Sequence, residues 1–138
     1  MSFEHKVLLE KFEAKVKVEK AIMLSLNSIV GKWNNCDSKT RGLTSVVLSA
    51  KGNALSVQCF GACTPTPCDW GIVAGTAYAE NVSATGAIAF SAMYDLKFKA
   101  TIVTGHLDNG CLIVETFDMF KDGSGRSNYY SRYYLCKA

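Results

Sequence analysis

The chain has 138 residues, 49% of them hydrophobic and 20% charged, which fits one globular domain and excludes a disordered chain. A formal net charge of +3, with no stripe of Lys and Arg interleaved with aromatic residues, gives no footing for nucleic-acid binding. Two His leave few of the usual general bases and metal ligands.

Residues 2–28 contain no Gly or Pro and are rich in Glu, Lys, Leu and Ala, which predicts a helix. Val18, Ile22 and Leu26 share one helical stripe, with Leu8 and Phe12 on a neighbouring one. The alternation Lys15-Val16-Lys17-Val18 is a competing strand signal. Residues 1–30 therefore read as a helical segment that plugs one end of the following domain or packs on its outside, with self-association as a third option. The apolar stretch over residues 21–30 is broken by Ser25, Asn27 and Ser28 and follows four Glu and five Lys. It is too short to span a bilayer and fits a secretory leader poorly. The expected location is the cytoplasm, with secretion as the alternative.

From Gly31 the pattern turns to period two, punctuated by Gly, Asn and Asp. Residues 31–138 read as eight strands in succession. The first carries Trp33, and the second covers residues 43–50. Lys51-Gly52-Asn53 is a tight turn before the third, over residues 54–60. Residues 63–68 form a constrained loop that holds both prolines of the chain. The fourth strand covers residues 69–79 and the fifth 87–94. In the sixth, Leu96, Phe98, Ala100 and Ile102 alternate with Lys97, Lys99 and Thr101, the clearest inside/outside signature in the chain. Asp108-Asn109-Gly110 is a strong hairpin turn. The seventh strand covers residues 111–119 and, after Asp122-Gly123-Ser124-Gly125, the eighth covers 127–136. Eight hairpin-connected strands with two bare edges would invite aggregation, and closure removes the edges. The expected fold is an all-β, eight-stranded antiparallel up-and-down barrel. A barrel of eight strands is filled by side chains or holds one small ligand.

The opening Gly31-x-Trp33 and Arg132 in the last strand resemble the calycin group: lipocalins, fatty-acid-binding proteins and avidins. The resemblance covers residues 31–137 as topology and a handful of positions as motif. It implies that Trp33 packs across one barrel end with Arg132 stacked on it. Gly31-Lys32-Trp33-Asn34-Asn35 is nearest the avidin opening strand, which would put Asn35 in place to grip a ureido group. Trp70 is the only other Trp, where avidins wall their ligand with several, so a biotin site is not expected. Three further segments resemble a small recurrent domain to which no activity attaches. They are Thr40-Arg41-Gly42-Leu43-Thr44, Gly61-x-Cys63-x-Pro65-Thr66-x-Cys68-Asp69-Trp70-Gly71 and Asp122-x-Ser124-Gly125-Arg126-x-Asn128-Tyr129. The likeness implies that they sit together.

Of the six Cys, the default in a cytosolic chain is free, mostly buried thiols. In an oxidising compartment Cys63 and Cys68 would close a small loop, and Asn81-Val82-Ser83 would be a glycosylation acceptor. Cys63 and Cys68 beside Asp69 lack a second ligand pair for zinc, so no metal or cofactor is expected. In the eighth strand Tyr130, Arg132 and Tyr134 share one face, and Tyr129, Tyr133 and Leu135 the other. Glu115 and Asp118 point to opposite faces of the seventh, so one at most faces inward. The expected ligand site is Asn35, Trp70, Phe90, Tyr94, Phe98, Tyr130, Arg132 and Tyr134, around a small hydrophobic or aromatic molecule. Two alternatives remain: an isomerase- or cyclase-like enzyme using a pocket Tyr or carboxylate, and a carbohydrate- or protein-binding module built on the Trp70 loop.

Overall fold

A computed structural model describes residues 24–138. The expected N-terminal helix lies mostly outside the described residues. Its expected last turn, residues 24–28, is instead a single bridge and the start of a tight turn.

The chain forms a closed antiparallel barrel of eight strands. These are β1 (Gly31–Asn35), β2 (Leu43–Lys51), β3 (Ala54–Gly61), β4 (Cys68–Ala79), β5 (Ala87–Asp95), β6 (Lys99–Asp108), β7 (Cys111–Phe120) and β8 (Tyr129–Lys137). Each strand pairs with the next, and β8 returns to β1 with Trp33 opposite Lys137 and Asn35 opposite Leu135. Each of the described strands therefore has a neighbour on both sides, which is how closure disposes of sheet edges. Asn109 and Gly110, both at positive φ, make the two-residue β6–β7 hairpin that the sequence signals.

The interior is apolar along most of its length. Val46, Leu48, Val57, Phe90, Val103, Leu112, Val114 and Leu135 are all almost fully buried. Phe90 finds room because Gly105 faces it, and a β-carbon there would collide with the ring. At one end, Leu26 and Ile29 turn inward and join this core, held by a bridge between Ser25 and Gly86. Trp33 lies buried above them, and its indole N–H donates to the Ile29 carbonyl at 2.9 Å.

Two expectations about this frame are corrected. The cation over Trp33 is not Arg132. Lys137 Nζ sits 4.5 Å from the ring centroid and donates to the Val30 carbonyl, while Arg132 pairs across from Glu115 on the outer wall. The phase of β6 is also the reverse of its apolar alternation. Thr101 and Val103 are fully buried, while Ile102 faces outward. Leu96 and Phe98 leave the strand altogether, in a turn with Lys97 at φ 69°. The outer wall explains the reversal. Met93, Ile102, Phe117 and Tyr130 are successive partners across β5, β6, β7 and β8, so both faces of β6 carry apolar residues.

Two disulfides close the chain, against the default of free thiols. Cys36–Cys136 ties the end of β1 to β8 with Cα atoms 5.5 Å apart, and Cys63–Cys68 closes the proline loop. The first spans 100 residues, a separation for which unfolded-chain entropy alone gives up to about 4–5 kcal/mol. Cys59 and Cys111 are free.

Candidate functional site

At the end opposite Trp33 the barrel is open. A cavity of about 490 Å³ lies inside this mouth. Trp70, Phe98, Tyr129 and Tyr133 provide aromatic walls, Arg41 and Asp69 stand at its rim, and Lys99, Thr116 and Asp118 line it more deeply.

Each wall is placed by a local feature of the chain. Trp70 faces inward near the start of β4, and its indole nitrogen would lie 2.9 Å from a β-carbon at Gly61. A side chain at Gly61 would therefore push the ring aside. Tyr133 comes from the inward face of β8 and rests on Gly42, where a β-carbon would overlap its hydroxyl. Phe98 is carried over the opening by the turn before β6. Behind Trp70, Tyr94 packs edge-on with ring centroids 5.7 Å apart. The Tyr94 hydroxyl donates to the carbonyls of Gly71 at 2.8 Å and Val57 at 3.1 Å, and accepts from the Cys59 amide at 3.0 Å. One proton cannot serve both carbonyls at full strength, so the donation is shared. Burial raises the Tyr94 pKa above the usual phenol range, and the ring works as a strut between β3, β4 and β5.

The polar floor is a compact network. The Thr101 hydroxyl donates to Asp118 Oδ1 at 2.6 Å, and Lys99 Nζ lies 2.9 Å from the same oxygen. Asp118 is 4% exposed and Lys99 13%, so the pair is held largely out of water. The ammonium also lies 5.5 Å from the Trp70 ring centroid and 5.7 Å from that of Phe98, within cation–π range. Burial and the nearby Asp118 charge raise the Tyr129 pKa, so that hydroxyl stays protonated and able to donate. At the rim, Asp69 accepts from the Gln58 amide at 3.0 Å and from the Gly71 N–H at 2.8 Å. Arg126 pairs with Asp122 at 2.7 Å.

No protein-family model matches this chain, and no curated protein or solved structure matches it. The site is therefore read from its own geometry.

Of the residues that the sequence nominates, Trp70 and Phe98 line the mouth and Tyr94 supports it from behind. Phe90 is embedded in the core. Asn35 donates through Nδ2 to the Leu43 carbonyl at 2.8 Å and accepts the Asp37 N–H at 2.8 Å. Tyr130, Arg132 and Tyr134 are exposed on the outer wall, where the Tyr130 hydroxyl donates to Glu115 at 2.7 Å. The inward set of β8 is Tyr129, Tyr133 and Leu135, and the inward carboxylate of β7 is Asp118. The nomination passes over Lys99, Asp118, Tyr129 and Tyr133. A usable signal existed: Arg41, Gly42, Gly61, Cys63, Cys68, Asp69, Trp70 and Tyr129 belong to the three segments expected to sit together, and all line this one mouth.

Proposed function

We propose that the protein is a small-molecule receptor of calycin type whose ligand occupies the open mouth between Trp70, Phe98, Tyr129 and Tyr133. The observation that carries this reading is the cavity itself: about 490 Å³, with aromatic walls over a polar floor. Specific small-molecule sites combine a concave apolar lining with a few fixed polar groups, at this scale of volume. A planar aromatic ligand with a polar edge suits it best. Its ring would lie against Trp70 or Tyr133, and its edge would meet Lys99 or the Tyr129 hydroxyl.

Closure, meander order and a Gly31-x-Trp33 opening with Trp33 buried beneath a cation all favour the calycin comparison. Two departures qualify the kind of carrier. The cation is Lys137 rather than an arginine, and the Asn35 side chain is tied to the backbone of Leu43 and Asp37 outside the mouth lining, away from an avidin-like ureido grip. The deep interior is also packed, so the ligand is held near the rim rather than swallowed whole.

The alternatives are less well served. An enzyme would draw on Asp118 or Tyr129, but Asp118 is engaged by Thr101 and Lys99, an arrangement suited to recognition more than to proton transfer. A binding module would need Trp70 as a protruding platform, and Trp70 is half-buried against Tyr94.

The test is a titration of the full chain with fatty acids, retinoids, haem and aromatic dyes, followed by tryptophan fluorescence. Saturable quenching by an aromatic member is expected. Trp70→Ala should weaken that binding by at least about tenfold, the loss of one aromatic wall. Absence of saturable binding across the panel, or affinity unchanged in Trp70→Ala when read by calorimetry, would overturn the proposal.

A further inference from the structure

Three cysteines with no part in the mouth meet on the outer wall at the seam of the barrel. Cys36 follows β1, Cys136 lies near the end of β8 and Cys111 opens β7. The Cys36 amide donates to the Tyr134 carbonyl at 2.9 Å, which lays Cys36 alongside β8. Leu112 pairs with Leu135, so one step along the antiparallel ladder Cys111 comes opposite Cys136. The three sulfurs lie within 4.8 Å of one another. In the form described, Cys36 and Cys136 are joined and Cys111 is a free thiol beside them.

The geometry points to a redox-gated site for a thiophilic cation, in which Cys36, Cys111 and Cys136 bind one Zn²⁺, Cd²⁺ or Cu⁺ once their disulfide is reduced. A dithiol reductant supplies two electrons and two protons, the Sγ–Sγ bond breaks, and two thiols join the third. The metal then displaces the thiol protons and forms three metal–sulfur bonds. With zinc–sulfur bonds of about 2.3 Å at tetrahedral angles, the sulfurs must stand about 3.8 Å apart. From a cluster already within 4.8 Å, side-chain rotation reaches that spacing. The backbone need not move, because the ladders of β1, β7 and β8 hold all three positions.

Cys36 and Cys136 are exposed and Cys111 is half-buried, so a cation can enter and take a fourth ligand from solvent. A surface cleft beside Cys36 includes Arg132. Its guanidinium offsets part of the surplus negative charge that three thiolates place around a divalent ion, and Asp37 in the same cleft adds to that surplus. Disulfide and metal use the same sulfurs, so they exclude each other. The metal-loaded form is the reduced form, and oxidation expels the ion. Cys63 and Cys68, at the open mouth, offer only two sulfurs, and buried Cys59 stands apart from the cluster.

The experiment takes the full chain, reduced with a phosphine in metal-free buffer without oxygen, and titrates it with Co²⁺. The readout is thiolate-to-cobalt charge-transfer absorption. One equivalent should bind to the reduced chain and none to the oxidised chain. Cys111→Ser, a near-isosteric change on the wall, should weaken binding by at least about tenfold. The Cys63→Ser/Cys68→Ser double variant should bind as the parent does. A reduced chain without the charge-transfer band would sink the inference, as would undiminished affinity in Cys111→Ser.

Discussion

The two mouths of this barrel are built from the same parts and reach opposite ends. Each has one tryptophan facing inward with a lysine ammonium over its ring: Lys137 at 4.5 Å from Trp33, Lys99 at 5.5 Å from Trp70. At the closed mouth every polar atom of the pair is committed to backbone, the indole N–H to Ile29 and the ammonium to Val30. Leu26 and Ile29 then seal the end. At the open mouth the lysine is paired with Asp118 and the tryptophan is backed by Tyr94, with Phe98 beside them and no counterpart of Leu26 and Ile29 among the described residues to seal the cavity. A Trp–Lys pair is therefore a latch where chain packs over it and a receptor wall where it does not.

The largest effect that would break this contrast is a truncation made at both ends. Trp33→Ala should lower unfolding free energy by about 3–5 kcal/mol, the usual range for a buried aromatic lost from a core. Trp70→Ala, at a ring that is only partly buried, should cost less. Urea unfolding of the two variants checks this, and equal losses would mean that both rings are merely structural.

A smaller effect separates the two lysines. Asp118→Asn removes the charge that Lys99 faces. It should cost about 1–3 kcal/mol, the range for a hydrogen bond to a charged group with its partner left short, and should also alter ligand affinity. No carboxylate is paired with Lys137 among the described residues, and the Lys99–Asp118 pair is held largely out of water, so added salt should change the stability of either mouth very little. Paired unfolding curves at low and high salt would show it.

The smallest effect concerns the two free thiols. Burial pushes Cys59 up to about 12, from an ordinary 9.0. Near pH 8 only about one Cys59 in ten thousand is a thiolate. In the oxidised chain a maleimide should label Cys111 and leave Cys59 until the barrel unfolds, as read by peptide mass. Because the folded pKa is the higher one, Cys59 adds stability that is complete below pH 9 and is lost as pH rises from 9 towards 12. Rapid labelling of Cys59 in the native state would place it in an open region rather than behind Tyr94.

Much of the fold was legible because strand and turn signals are local. Period-two stretches, the Asn109-Gly110 hairpin and the number of strands follow from residues within a few positions of one another. Eight strands without a covering layer leave closure as the economical way to remove edges. The candidate site was less legible because inward and outward are properties of the closed sheet. Ile102 is apolar yet faces out with Met93, Phe117 and Tyr130, while Lys99 and Thr101 face in to meet Asp118. No local pattern reveals that an interior lysine has an aspartate waiting on the next strand. The β8 aromatics show the same ambiguity, since tyrosines occupy both faces.

By itself the sequence determined a meander of eight strands and most of its turns. The tertiary structure alone decided which face of β6 and β8 looks inward, that Lys137 rather than Arg132 covers Trp33, and that Cys36 and Cys136 meet across 100 residues. Alternation fixes that neighbouring side chains oppose each other. Which of them meets the core depends on partners that only closure brings within reach.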